Sequence, residues 1–291
     1  MKIFENKISK AAITQEENYR WWNDNPMRYD WGERIPFPEF SREFFNEIDR
    51  RFFLNSKEYL PWKAIPFDRL IDFAALKDKE VLEIGVGNGS HAQLLAAHAK
   101  SFTGIDLTEY AVKSTAERFK VFGLPGIIIR MDAERLSFPD NSFDLVWSWG
   151  VIHHSSDTKK ILKEIRRVLK PGGTASIMVY HRGWWNYYVM GFLRALIFGD
   201  LVKGRSLFES IQRFTDGAIA RYYRRSDWKE LNEPMFSVRD IFILGPKSDF
   251  IPLSAGALKD IITKYIPNSL ARLLTEKFKM GVFLYSTLQK P

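Results

Sequence analysis

The run EVLEIGVGNG, residues 80–89, constrains this chain more than any other stretch. Four apolar or β-compatible residues break into three closely spaced glycines, and alanine and leucine follow at helical spacing from Ser90 to Lys100. That is a buried strand turning sharply into a helix. Glycine lets the backbone bend there and approach a ligand, while the helix start presents free N–H groups to an anion. Asp106 ends the next strand about twenty residues on, where an acid can accept both ribose hydroxyls of a nucleotide cofactor. The loop and the acid alone suit NAD and S-adenosylmethionine (SAM) alike. Glu83, two residues before the first glycine, and the GxGxG spacing tilt the reading toward SAM.

The residues that follow keep alternating. Ser101–Leu107 reads as a second strand and Thr108–Val121 as a second helix; Gly126–Met131 is a third strand and Phe143–Gly150 a fourth. Asp157–Leu169 places Ile161, Leu162, Ile165, Val168 and Leu169 on one helical face, with Asp157 as N-cap. Pro171-Gly172-Gly173 stops that helix, and Thr174–Tyr180 is a fifth strand. Strands and helices in this alternation make parallel βαβ units and a doubly wound α/β sheet.

Composition narrows the function. The 291 residues hold no cysteine, which excludes disulfides, Cys-ligated zinc and a thiolate nucleophile. The formal charge of +8 is spread along the chain, with only short clusters such as Arg221, Arg224 and Arg225, so nucleic acid is not expected as a partner. MKIFENKISK has no apolar core of a secretory signal, and Tyr187–Phe198, the longest apolar stretch, contains Arg194 and is too short to span a bilayer. A cytoplasmic protein is expected, with peripheral membrane contact left open.

Read together, VLEIGVGNGS, Asp106, Met131-Asp132-Ala133-Glu134, FDLVWSWGVIHH and RVLKPGG closely resemble the class I SAM-dependent methyltransferases, and within them the branch that acts on quinones, lipids, sugars and other small molecules. The resemblance covers about a hundred residues, with five motifs in the family's order. It implies a Rossmann-like sheet of seven strands with one antiparallel, and SAM as cofactor with S-adenosylhomocysteine as product. It implies further that Gly85, Gly87 and Gly89 flank the methionyl group, with Glu83 beside them. Asp106, with Leu107, would hold the ribose; Asp132 would face the adenine amine with Ala133 beside it; Trp149 and Gly150 would border the reacting end. His154, and next to it His153, stand where a ring nitrogen can take a proton from the acceptor as it attacks the methyl. No metal is expected.

On either side of this core, residues 76–181, the chain is aromatic. Residues 1–75 suit a helical lid that includes Trp31, with Tyr19, Trp22 and Tyr29 as candidate substrate contacts. Residues 182–235 read as a helical insertion for substrate recognition, and Tyr180, His181 and Trp184 at its start are further candidates. Residues 236–291 supply the last two strands, Phe236–Leu244 and Lys279–Leu288. The expected substrate is a small molecule, aromatic or apolar, methylated at oxygen or nitrogen, with carbon possible. Three other readings compete: a SAM-binding assembly protein without catalysis, a nicotinamide oxidoreductase, and an enzyme whose apolar helix meets membrane to reach a lipid substrate. Oligomeric state is open.

Overall fold

Five strands run parallel from the chain's first apolar run: β1 (Glu80–Ile84), β2 (Ser101–Asp106), β3 (Ile127–Arg130), β4 (Phe143–Trp149) and β5 (Leu169–His181). A two-residue strand, β6 (Tyr222–Tyr223), pairs parallel with Tyr180 and His181 at the end of β5. β7 (Ser237–Leu244) and β8 (Phe283–Gln289) complete the sheet, and β8 lies antiparallel between β5 and β7. The order is β3-β2-β1-β4-β5-β8-β7. This is the expected doubly wound sheet, with β6 as an eighth strand that its two residues are too short to announce. The computed structural model describes residues 14–30, 32–253 and 256–291; residues 1–13 of the expected lid, and Trp31, lie outside them.

Helices α1 (Gln15–Asp24) and α2 (Arg42–Tyr59) precede the sheet. The crossovers are α3 (Ser90–Ala96), α4 (Glu109–Phe122) and α5 (Thr158–Val168). Helices α6 (Gly191–Ile197), α7 (Leu207–Gln212) and α8 (Arg225–Asn232) stand between β5 and β7, and α9 (Ala257–Tyr265) and α10 (Asn268–Arg272) between β7 and β8. Local chemistry sets these ends. Asp157 accepts from the N–H groups of Lys159 and Lys160 at the start of α5, and Thr14 and Glu17 form a reciprocal capping box on α1. Ile161, Leu162, Ile165 and Val168 on α5 are all buried against one face of the sheet.

Two expectations shift. The fifth strand begins at Leu169, because Pro171-Gly172-Gly173 forms a bulge within it: Leu169 pairs with Phe143, and the register resumes at Leu145–Thr174. Gly173 fits only without a side chain, since a Cβ there would stand 2.9 Å from the Lys170 carbonyl. The apolar stretch Tyr187–Phe198 belongs to a helical run that begins at Trp184, with a wide i→i+5 turn over Trp184–Met190 leading into α6.

The glycine loop after β1 is held from two directions. Gly85 has φ +84°, and a Cβ on it would lie 2.2 Å from Cγ2 of Val151, just beyond β4. Gly87 has φ +53°, but a Cβ there would meet nothing within 4 Å. Gly85→Ala should therefore lose about 3 kcal/mol, from overpacking plus left-handed backbone strain, whereas Gly87→Ala should lose only about 1 kcal/mol of strain. Urea unfolding of the two variants tests the difference; equal losses would mean that Val151 moves aside freely.

Candidate active site

The loops at the carboxyl ends of β1 to β5 enclose a cavity of about 370 Å³, within the range of small-ligand sites. Glu83, Gly85, Gly87, Asp106, Leu107, Asp132, Ala133, Trp149, Gly150 and His154 all reach it. Tyr180 comes from β5; Trp22 and Tyr29 come from α1 and the segment after it. Gly89 stands just behind, as the left-handed N-cap of α3, where a Cβ would touch Arg118 and Thr115 at 3.0 Å.

Asp106 ties the first two loops together. Its carboxylate accepts from the Gly87 N–H at 3.2 Å, and from both the N–H and hydroxyl of Thr108 at 2.9 Å. Burial raises its pKa, and these hydrogen bonds pull the other way. The Leu107 N–H adds a further interaction, so the acceptor positions are largely taken and a sugar hydroxyl would compete with Gly87. Asp132 also has partners: one oxygen accepts from Gln15 of α1 at 2.8 Å and from the Glu134 N–H at 2.9 Å.

Glu83 differs from both. It is 2% exposed, and Oε2 has no hydrogen-bond partner among the described residues. Burial, then the neighbouring Asp106, raise its pKa well above the usual carboxylate range. An acceptor without a partner in the cavity wall fits a ligand that brings a cation or an N–H group. His91 lines the same wall among Phe52, Phe67 and Trp147, and burial lowers its pKa to about 3, so it stays neutral.

The two histidines after β4 part company. His154 lines the cavity; its Nδ1 lies 2.7 Å from the Ile219 carbonyl, which fixes the proton there and makes Nε2 the basic atom. Its ring meets Trp22 edge-on at 4.9 Å. His153 is fully buried between His154 and Tyr180 and does not reach the cavity. Burial, with the charges of His154 and Arg221, holds it neutral. Three aromatic or imidazole candidates also lie off the cavity. His181 turns toward the Gly281 carbonyl at 2.8 Å, Trp184 donates to the Phe278 carbonyl at 2.9 Å, and Tyr19 lies under the Arg130 guanidinium.

The sequence reading missed Asp216. It lines the cavity and accepts from the Tyr180 hydroxyl at 2.8 Å. Its neighbour Gly217, φ +80°, leaves room for the His154 ring, which a Cβ would approach to 2.4 Å. The dipeptide Asp216-Gly217 is a turn signal, but nothing local says which strand it faces. Phe52, Asn55, Tyr59 and Phe283 complete the wall from α2 and β8.

Residues 82–177 match the family model described as "Methyltransferase domain". The core is a class I SAM-dependent methyltransferase domain. The relatives show how far the likeness runs. A phthiotriol/phenolphthiotriol dimycocerosates methyltransferase of Mycobacterium tuberculosis is 39% identical over 100 residues, 34% of this chain and 36% of that one. A ubiquinone/menaquinone biosynthesis C-methyltransferase of Cupriavidus metallidurans is 30% identical over 156 residues, 49% of this chain and 64% of that one. The chain thus spans less than two thirds of either relative. In three dimensions the fold is similar to that of the [4+2]-cyclase SpnF, with a TM-score of 0.51 at 19% identity, over 88% of this chain and 98% of that one. That likeness takes in the flanks of the methyltransferase domain as well as its core, and it speaks of fold alone.

Glu83 gives the domain a pH-dependent stability. Its raised pKa means that the folded chain keeps a proton which the unfolded chain has lost, so stability falls as pH rises from the unfolded value toward the folded one. Glu83→Gln should remove that slope and be the more stable protein at pH 8, by urea unfolding across pH 5–9. A variant with the wild-type slope would mean that Glu83 is ionised in the fold.

Proposed function

We propose that this chain transfers a methyl group from SAM to a small apolar or aromatic acceptor. The observation that carries the proposal is a single cavity. The glycine loop, Asp106 and Asp132 open into the same space as His154, Tyr180 and Asp216. The relatives point the same way, since each is named for methylating a lipid or quinone.

The fit to the cofactor rests on what the residues offer. Gly87 leaves open space where a side chain would stand, and Glu83 holds an acceptor with no partner among the described residues. Gly85, Gly87 and Glu83 would hold the methionyl end, with Gly89 shaping the turn. Asp106 and Leu107 would hold the ribose, and Asp132 and Ala133 the adenine. Trp149 and Gly150 would border the sulfur. Bound SAM supplies a methyl already activated by its sulfonium, so the protein's part is to bring the acceptor atom into line and keep water out. Trp22, Tyr59 and Phe283 supply apolar wall for that.

Where the acceptor is a hydroxyl or an acidic carbon, a proton must leave. His154 is placed for this, with Nδ1–H fixed on Ile219 and Nε2 as the accepting atom. The Tyr180–Asp216 pair orients the acceptor from β5. His153, held neutral and off the wall, supports the ring of its neighbour. No cluster of His, Cys, Asp and Glu among the described residues is arranged to hold a metal.

Calorimetric titration with SAM and S-adenosylhomocysteine, against NADH and NADPH as controls, tests the cofactor. Micromolar binding of the adenosyl pair alone is expected; binding of the nicotinamides alone would replace the reading with an oxidoreductase. Asp106→Ala should weaken SAM by about 1.5–3 kcal/mol through lost charge-assisted hydrogen bonds, and unchanged affinity in the folded variant would remove the ribose assignment. His154→Ala should keep SAM affinity and lose turnover of an identified acceptor. Tight SAM binding with no turnover across quinone, phenol and lipid acceptors would favour the assembly-protein reading.

A further inference from the structure

Helix α6 is built inside out. It buries its two smallest residues, Gly191 and Ala195, and a Cβ on Gly191 would lie 2.8 Å from Ile211 of α7. Its large residues face water: Phe192, Leu193, Leu196 and Ile197 are exposed, and so are Leu201 and Val202 in the turn that follows. Ile197 is 76% exposed and Val202 91%. A helix stabilised by its own core would present these the other way round. So long an exposed apolar run marks a surface that something else covers.

A second element continues the pattern. Helix α9 turns Leu258, Ile261 and Tyr265 outward, one face at helical spacing, while Ile262 packs inward beside Phe250 and Trp185. Trp185 belongs to the wide turn that leads into α6, so one small core joins the two elements. Arg194 of α6 and Lys259 of α9 also both act on the buried Asp249 carboxylate. The segment that carries α9 is positively charged: residues 257–279 hold five Lys or Arg against two acids. On the α6 side, Lys203 is exposed, whereas Asp200 is fully buried between Arg205 and Arg213.

We infer that the α6 tip and the outer face of α9 dock the protein on an anionic lipid bilayer. Apolar side chains ringed by cations are what the interface between headgroups and acyl chains accommodates. A second copy of this chain would bring the same positive rim against itself. Among the described residues no helix is long and apolar enough to cross a membrane, so the contact is peripheral. The surface is also joined to the cavity. Tyr187, at the base of α6, packs on Tyr222 with ring centres 5.2 Å apart, and Tyr222 packs on Tyr180 at 5.4 Å.

Co-sedimentation of the full chain with vesicles of phosphatidylcholine, with and without about a third phosphatidylglycerol, tests the surface. The double variant Ile197→Glu/Val202→Glu alters only exposed positions, so melting and SAM affinity should stay as in the wild type. The wild type should pellet with the anionic vesicles and be released by high salt, and the double variant should bind them at least tenfold more weakly. Wild-type protein left in the supernatant, or a variant that pellets equally well, overturns the inference. So does a wild-type dimer in light scattering that the variant turns to monomer while neither pellets, since the face would then be a homodimer contact. The readout needs no turnover and no acceptor, so it stands or falls apart from the methyl-transfer reading.

Discussion

The whole site hangs on the approach of two backbone segments. At Gly85 and Val151 the loops leaving β1 and β4 come so close that the Val151 side chain takes the space a Cβ on Gly85 would need. β1 and β4 are neighbours in the sheet, and from β1 the order runs outward one way to β2 and β3 and the other way to β4 and β5. Crossovers leave the sheet in opposite senses at such a point, and a crevice opens at the carboxyl ends of the strands. Gly85 fixes the width of that crevice. Asp106 then closes its side, because one carboxylate bonds both the Gly87 loop and the start of the segment after β2.

Closing the crevice around apolar walls has an electrostatic cost. Glu83 and Asp106 are both buried, and Asp106 adds to the cost at Glu83 as the second cause of its raised pKa. Arg118 pulls Glu83 the opposite way, yet its own hydrogen bonds go to Asp49 and Gln93, so it screens without pairing. A purely structural core would replace two such carboxylates with apolar residues. Two buried carboxylates beside an aromatic cavity match the pattern of a site that sacrifices stability for a ligand.

The sheet was legible because its signals are local. Apolar runs of strand length, helical periodicity in α5 and the Asp157 cap all lie within a dozen residues of the features they specify. The glycine loop and the acid of β2 were legible for the same reason, since the βαβ unit sets their separation. The end of the cavity at His154, Tyr180 and Asp216 was not. Asp216 reaches Tyr180 across thirty-six positions, and the Ile219 carbonyl reaches His154 across sixty-five. No spacing encodes either contact, because both depend on how an insertion folds back over the sheet. Aromatic residues misled for a related reason: Trp184, Tyr19 and His181 lie near the cavity in sequence, but their polar atoms or faces found partners elsewhere.

That folding back makes the insertion part of the wall around His154 as well as a cover for it. Arg221 donates its guanidinium to the carbonyls of Ser155 and Ser156, and its backbone N–H to the carbonyl of His153. Ile219 sets the tautomer of His154, Gly217 makes room for its ring, and β6 seals the strip by pairing with the end of β5. From the other flank, Asn18 of α1 donates to the His154 carbonyl, and Gln15 bonds both Asp132 and the Ser156 N–H. The loop after β4 is therefore gripped by two elements distant in sequence, neither of which belongs to the matched domain of residues 82–177. A βαβ core of this type can hold a cofactor with its own loops. The geometry of the group that would take the proton is instead set by the flanks, which is where a family of shared core and differing acceptors has freedom to vary.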